Sequence, residues 1–212
     1  MDGASVLSSS IARHREETAP PPSSDSKKER VDVIRNRASI LDAAQRHFLA
    51  HGVGTSLEAV AKEAGVGPAT LYRHFPTREA LLAALLQSRS EELTKREAQI
   101  ALVENPSEAL QQWLRALEDY FGAYNGLPEP LMLAARQREP NNPLTLPCEH
   151  LIRTTEQFVA SAQDSGHVQA WVKGYDLFLA ANSVAWIKGT GAVDEASMPA
   201  LRRIMEEGYR HL

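Results

Sequence analysis

Between residues 68 and 78 the chain concentrates side chains suited to gripping a polyanion and reading base edges. Thr70 and Tyr72 offer hydroxyls to phosphate, Arg73 can fork onto the two acceptors of guanine, and His74 can donate to phosphate or base. Pro68 and Ala69 are small and apolar enough to meet a thymine methyl group. The other reactive side chains form no comparable set. His47 and His51 stand one helical turn apart but have no third ligand or nearby Glu, so no metal site is expected. Cys148 and His150 are too isolated for a zinc site or a nucleophile pair. Gly65-Val66-Gly67 lacks the third glycine and the preceding strand of a dinucleotide fingerprint, and Gly54-Thr55-Ser56 fails as a nucleophile elbow. With no grouping of acid, base and nucleophile, no enzyme and no cofactor are expected.

The elements that must position these groups are helices. Ile34, Leu41, Ala44 and Phe48 fall on one face of a first helix, which Gly52 and Val53 end. Thr55-Ser56-Leu57-Glu58 matches a capping box, with the Thr55 hydroxyl on a backbone N–H and Glu58 reaching back to the cap. Leu57, Val60, Ala61 and Ala64 make the buried face of the short helix that follows. Gly65 permits the turn, and Pro68 restarts a helix from a first turn where its missing N–H costs nothing. Leu71 and Phe75 turn inward and leave the polar set facing out. Two short helices, a small residue at their crossing and a recognition face free of core duties are what a helix-turn-helix requires.

The stretch TSLEAVAKEAGVGPATLYRHFPTREALLAAL, preceded by RASILDAAQRHFLAHGV, resembles the DNA-binding domain of the TetR/AcrR family of transcriptional regulators over residues 37 to about 86. The A-G-V-x-x-x-T-L-Y-x-H-F core and the R-E-A-L entry to the fourth helix carry the resemblance. It implies that Thr70, Tyr72 and His74 are recognition-helix contacts and that Arg78 is a phosphate clamp. Thr55 and Ser56 complete the expected DNA-facing set with Pro68, Ala69 and Arg73. Gly67-Pro68-Ala69 departs from the Ser-x-Gly that many members carry. The family's architecture places a dimerising, ligand-binding helical domain after the head.

Beyond residue 77 the pattern stays helical, with Thr77 capping a long helix to about residue 102 and Asn105-Pro106-Ser107 opening the next. That helix carries the strongest apolar stripe, from Leu110 to Tyr124, ended by Gly126 and Pro128. Shorter and longer helices are expected near 131–136 and 147–162, and two more near 173–188 and 195–211. The expected fold is all-α, with a disordered arm at 1–29, a helix-turn-helix domain at 30–77 and a regulatory, dimerising domain at 78–212. Leu177, Ala181, Val184 and Ala185, with Leu201, Ile204, Met205 and Leu212, are expected to join two copies as a four-helix bundle. Trp113, Leu117, Phe121, Phe158 and Trp186 are the candidate lining of a ligand pocket.

Charge follows the same division. The 212 residues carry a net charge of −4, but residues 1–26, 27–96 and 97–212 carry −2, +4 and −6 in turn. A basic head on an acidic body suits a protein that binds DNA at one end. No apolar run reaches the roughly 20 residues needed to cross a bilayer, and the single Cys148 suits a reducing, cytoplasmic compartment. The expected protein is a dimeric, ligand-responsive repressor on a palindromic operator. The alternative is a helix-turn-helix factor that organises DNA or answers to a partner, with no small-molecule effector.

Overall fold

A computed structural model describes residues 24–210. The expected arm falls largely on residues 1–23, outside the described residues, but its last part does not form an arm: the first helix, α1, already begins at Ser24 and runs Ser24–His51. The remaining α-helices are α2 Leu57–Glu63, α3 Pro68–His74, α4 Arg78–Ile100, α5 Pro106–Phe121, α6 Pro128–Gln137, α7 Thr145–Asp164, α8 Gly174–Thr190 and α9 Met198–Tyr209. Among the described residues there is no strand, only an isolated bridge between Val168 and Arg210. No described helix is long and apolar enough to cross a membrane.

The chain divides into two units, Met1–Ile34 and Arg35–Leu212. In the first, Val31, Val33 and Ile34 are exposed, so Ile34 has no place on the expected buried face. In the second, α1 buries Ile40, Ala43, Ala44 and Phe48, which recur at three- and four-residue spacing on one face. One hydrophobic cluster continues from these residues through Leu57, Leu71 and Leu82 to Trp113, Phe121 and Phe178. Packing is therefore continuous across the junction at residues 77 and 78.

In the body, α5 is the central helix, and its apolar stripe is buried from Leu110 to Phe121. The Asn105 side chain caps it, accepting from the Ser107 and Glu108 N–H groups at 2.9 and 3.1 Å. The helix stops at Gly122, earlier than Gly126 and Pro128 suggest, and Tyr124 is buried from the loop instead. Trp113 stacks on Phe158 of α7 with ring centroids 5.5 Å apart, and its Nε1–H donates to Thr155 Oγ1 at 2.9 Å. Phe121 meets Phe178 of α8 edge-on at 5.2 Å. The approach of α8 to α7 is close enough that a Cβ on Gly174 would lie 2.4 Å from the Glu156 nitrogen.

Two expectations about the body are corrected. Leu177, Ala181, Val184 and Ala185 are buried within the chain itself, so they cannot also be the free face of α8. Its exposed large side chain is Trp186, and α9 exposes Ile204 while Leu201 and Met205 are half-buried; Leu212 lies outside the described residues. The second correction concerns the pocket. Trp113, Leu117 and Phe121 are fully closed in the core and Phe158 stacks on Trp113, whereas Trp186 lies at the surface beside a groove of about 320 Å³ with Tyr124 and Asn125. An amphipathic stripe on a central helix is filled by its neighbours, and here α7 and α8 supply the filling rings.

Candidate nucleic-acid interface

The second helix of the head starts one residue later than the capping box predicts. Ser56, not Thr55, is the N-cap: its hydroxyl accepts from the Glu58 and Ala59 N–H groups at 3.2 and 3.4 Å. The turn set by Gly52 is the reason, because it engages the Thr55 N–H with the Gly52 carbonyl. Glu58 then sits at the second helical position and cannot reach back as a box residue. Its carboxylate accepts from the Ser56 hydroxyl at 2.6 Å and from the Tyr72 hydroxyl at 3.2 Å. Chiefly the Ser56 bond, then its own backbone N–H and Tyr72, hold Glu58 below the usual carboxylate range, with Arg78 adding to the effect.

The recognition segment α3 is seven residues long, with Pro68 in its first turn and no side-chain cap from Gly67. Leu71 and Phe75 face inward, and Pro68, Ala69, Tyr72 and Arg73 are exposed as expected for a reading face. Thr70 and His74 are only half-exposed. The Nε2 of His74 is closed from solvent with no hydrogen-bond partner among the described residues. Its burial, and then the nearby charges of Arg73 and Arg37, push its pKa down. His74 is therefore a neutral donor or acceptor near pH 7, not a second cation. Arg37 of α1 lies over the Phe75 ring, 4.5 Å from its centroid, and braces the end of the segment.

Arg78 has a structural partner before any phosphate arrives. Its Nη1 donates to the carbonyl oxygen of Val53, in the turn between α1 and α2. The backbone N–H of Val53 donates to the Asn125 carbonyl at 2.8 Å, in the loop between α5 and α6. Gly52, with φ at +77°, sits so close to this loop that a Cβ would stand 2.8 Å from the Asn125 oxygen. Val53 thus joins α4, the turn after α1 and the body. Nothing local in the sequence signals this tie, or that of Tyr72 to Glu58, because the partners are 25 and 14 residues apart.

His47 is engaged by an acidic side chain, and its ring centroid lies 5.7 Å from that of His51. The His47 Nε2 meets Glu63 at 2.7 Å, which also accepts from Arg46, so α1 is fastened to the end of α2. Among the described residues there is no group of three metal-ligating side chains.

This geometry presents a short, outward-facing polar helix held on a packed miniature core, and comparison with known proteins agrees with it. Residues 40–85 match the profile of the bacterial regulatory proteins of the tetR family, and residues 105–211 match the C-terminal domain of SbtR-like transcriptional regulators. The chain is 41% identical over 59 residues to the HTH-type transcriptional regulator SAB2452 of Staphylococcus aureus, a match spanning 27% of this chain and 32% of that protein. It is similar to the crystal structure of the TetR transcriptional regulator SCO0520 from Streptomyces coelicolor, with 29% identity, a TM-score of 0.52 and coverage of 82% and 98% of the two chains. The fold is also that of the ketosteroid transcriptional regulator KstR2 of Mycobacterium tuberculosis, at 17% identity and a TM-score of 0.56, covering 83% of this chain and 95% of that one. With one profile covering the head and the other half of the chain, this protein belongs to the TetR family of DNA-binding transcriptional regulators.

Proposed function

We propose that this regulator is a homodimeric repressor that holds a near-palindromic operator and lets go of it when a small molecule occupies its helical body. Pro68, Ala69, Thr70, Tyr72, Arg73 and His74 form the reading face, with Ser56 and Thr55 at its edge. The observation that carries the reading is the double attachment of α4. At its start, Arg78 is bonded to the Val53 carbonyl in the head. Further along, Ser90 pairs with Tyr120 of α5 at 3.0 Å, Arg96 with Asp119 of α5 at 3.1 Å, and Glu97 accepts from Thr154 of α7 at 3.3 Å. Leu93 and Ile100 bury the same end. A continuous helix fastened at both ends transmits a shift, so a ligand that favours one position of α4 must change DNA affinity, and DNA must change ligand affinity by the same factor.

Exposed Trp186 on α8 and Ile204 on α9 support pairing of two copies along these helices. The closed aromatic core around Trp113 favours the second reading, a DNA-binding factor controlled by a partner, over any effector lodged there. Selection of bound sequences from a random DNA pool, with the mass of the protein measured in parallel, tests the proposal. The expected site is a near-palindrome whose half-sites lie about 34 Å apart, or a multiple of that, bound by a dimer. An asymmetric site bound by a monomer would overturn it.

A further inference from the structure

We propose that the effector is a small organic cation, bound in the cleft between α4, α5 and α7 with its ammonium group on Glu97. This rests on the ligand-responsive reading above and adds to it a place and a chemical class.

The cleft encloses about 190 Å³, and its wall brings together Ser90, Leu93 and Glu97 of α4, Tyr120 of α5, and His150 and Leu151 of α7. No Lys or Arg lines it, so the Glu97 carboxylate is its permanent charge. That side chain is only 24% exposed. Its contacts are long: the Thr154 hydroxyl at 3.3 Å and the His150 Nε2 at 3.5 Å, the second beyond ordinary hydrogen-bond reach. A carboxylate has about four acceptor positions, and these contacts leave room for more. An ammonium group, with three donors and the complementary charge, satisfies such a wall. A carboxylate ligand would meet like charge in a partly desolvated site, where repulsion is poorly screened. A bare metal ion would find one carboxylate and one imidazole, too few ligands to hold it.

The far end has different chemistry. The Ser90 and Tyr120 hydroxyls pair at 3.0 Å, and burial pushes the Tyr120 phenol above its ordinary value, which keeps it protonated. Ser90 and Glu97 are seven residues apart on α4, or about 10 Å along the axis at 1.5 Å per residue. Leu93 and Leu151, both buried, lie on the wall with them. The ligand this surface fits is elongated, with an ammonium at one end, an apolar or aromatic middle and a hydrogen-bonding group at the other. Because α4 supplies the carboxylate, occupancy acts directly on the helix whose first residue holds the head.

Tyramine has this form and serves as the probe. Binding to the full chain without DNA is measured by calorimetry and by thermal shift, beside 3-(4-hydroxyphenyl)propanoate, which replaces the ammonium by a carboxylate, and 4-ethylphenol, which removes the charge. Saturable binding of tyramine is expected, with both analogues at least about tenfold weaker and Glu97→Gln costing tyramine a similar factor. Glu97→Asp, which keeps the charge, should retain part of the affinity and guards against a folding defect in the first variant. No saturable binding of tyramine at millimolar concentration, equal binding of the acid, or undiminished binding to a folded Glu97→Gln protein would each overturn the proposal. None of these outcomes touches the operator selection, so the two readings fail separately.

Discussion

Replacing Arg78 by Ala separates two roles for one guanidinium. If its main work is the bond to the Val53 carbonyl, the variant loses a charge-assisted hydrogen bond, worth about 1.5–3 kcal/mol. Val53 is 6% exposed, so water does not readily replace the donor. For a chain of this size about 2–4 °C of melting temperature corresponds to each kcal/mol, which gives a fall of roughly 3–12 °C. The assay is thermal unfolding at fixed protein concentration, since a dimer's midpoint depends on it. It is paired with titration of labelled duplex at several salt concentrations. A phosphate contact would appear as a decrease of about 0.9 per protomer, or about 1.8 for a bound dimer, in the slope of log affinity against log salt. The bond to Val53 predicts a large thermal effect with little change in slope, and Arg78→Lys should recover only part of the stability. An unchanged melting temperature with a slope lower by about one for each protomer on the DNA would refute this reasoning and return Arg78 to the phosphate.

Other substitutions test the remaining contacts. Glu58→Gln removes a negative charge from the DNA-facing side and loosens Tyr72, so random duplex should bind more tightly, with the gain shrinking as salt rises; weaker binding would mean that the Glu58 to Tyr72 bond is what makes the tyrosine useful. Gly52→Ala places a Cβ 2.8 Å from the Asn125 carbonyl at a φ of +77°, and should cost about 1–2 kcal/mol or more in denaturant unfolding, whereas Gly54→Ala, with open space around it, should be nearly neutral. Trp113→Phe loses the indole bond to Thr155 and some ring volume, for a cost of about 1–3 kcal/mol by the same measurement. Burial pushes the Cys148 thiol up to about 12, so iodoacetamide at pH 8 should label it only on unfolding. Because a raised thiol stabilises the fold below its unfolded value and ceases to above its folded one, that contribution should decline as pH rises from about 8.5 towards 12.

Helix identity and the motif were legible because their signals are local. The Pro68 start, the Gly65 turn and the four-residue spacing of Leu71 and Phe75 each act within a few residues, and α3 forms where they place it. Even there the cap moved from Thr55 to Ser56, since the choice between adjacent hydroxyls depends on the backbone angle with which the chain leaves Gly52. The inward and outward faces of α3 were also readable, except that Thr70 and His74 are half-covered. Coverage comes from neighbouring elements, which helical period does not encode.

Local pattern alone determined an all-α chain, a helix-turn-helix at 55–76 and the basic head on an acidic body. Tertiary structure decided which of several equally apolar faces are spent inside the chain. In sequence, Leu177, Ala181, Val184 and Ala185 make an unassigned hydrophobic face of α8; in the fold they are buried, and Trp186 is left outside. Trp113, Leu117 and Phe121 could line a cavity until Phe158 and Phe178 fill the space against that stripe. Glu97 and His150 are 53 positions apart, and only the packing of α7 against α5 beside α4 puts them on one cleft. The physical reason is the same in each case. Amphipathic period states that a face must be buried, but the burying partner is chosen by shape and distance between segments that the chain order does not relate.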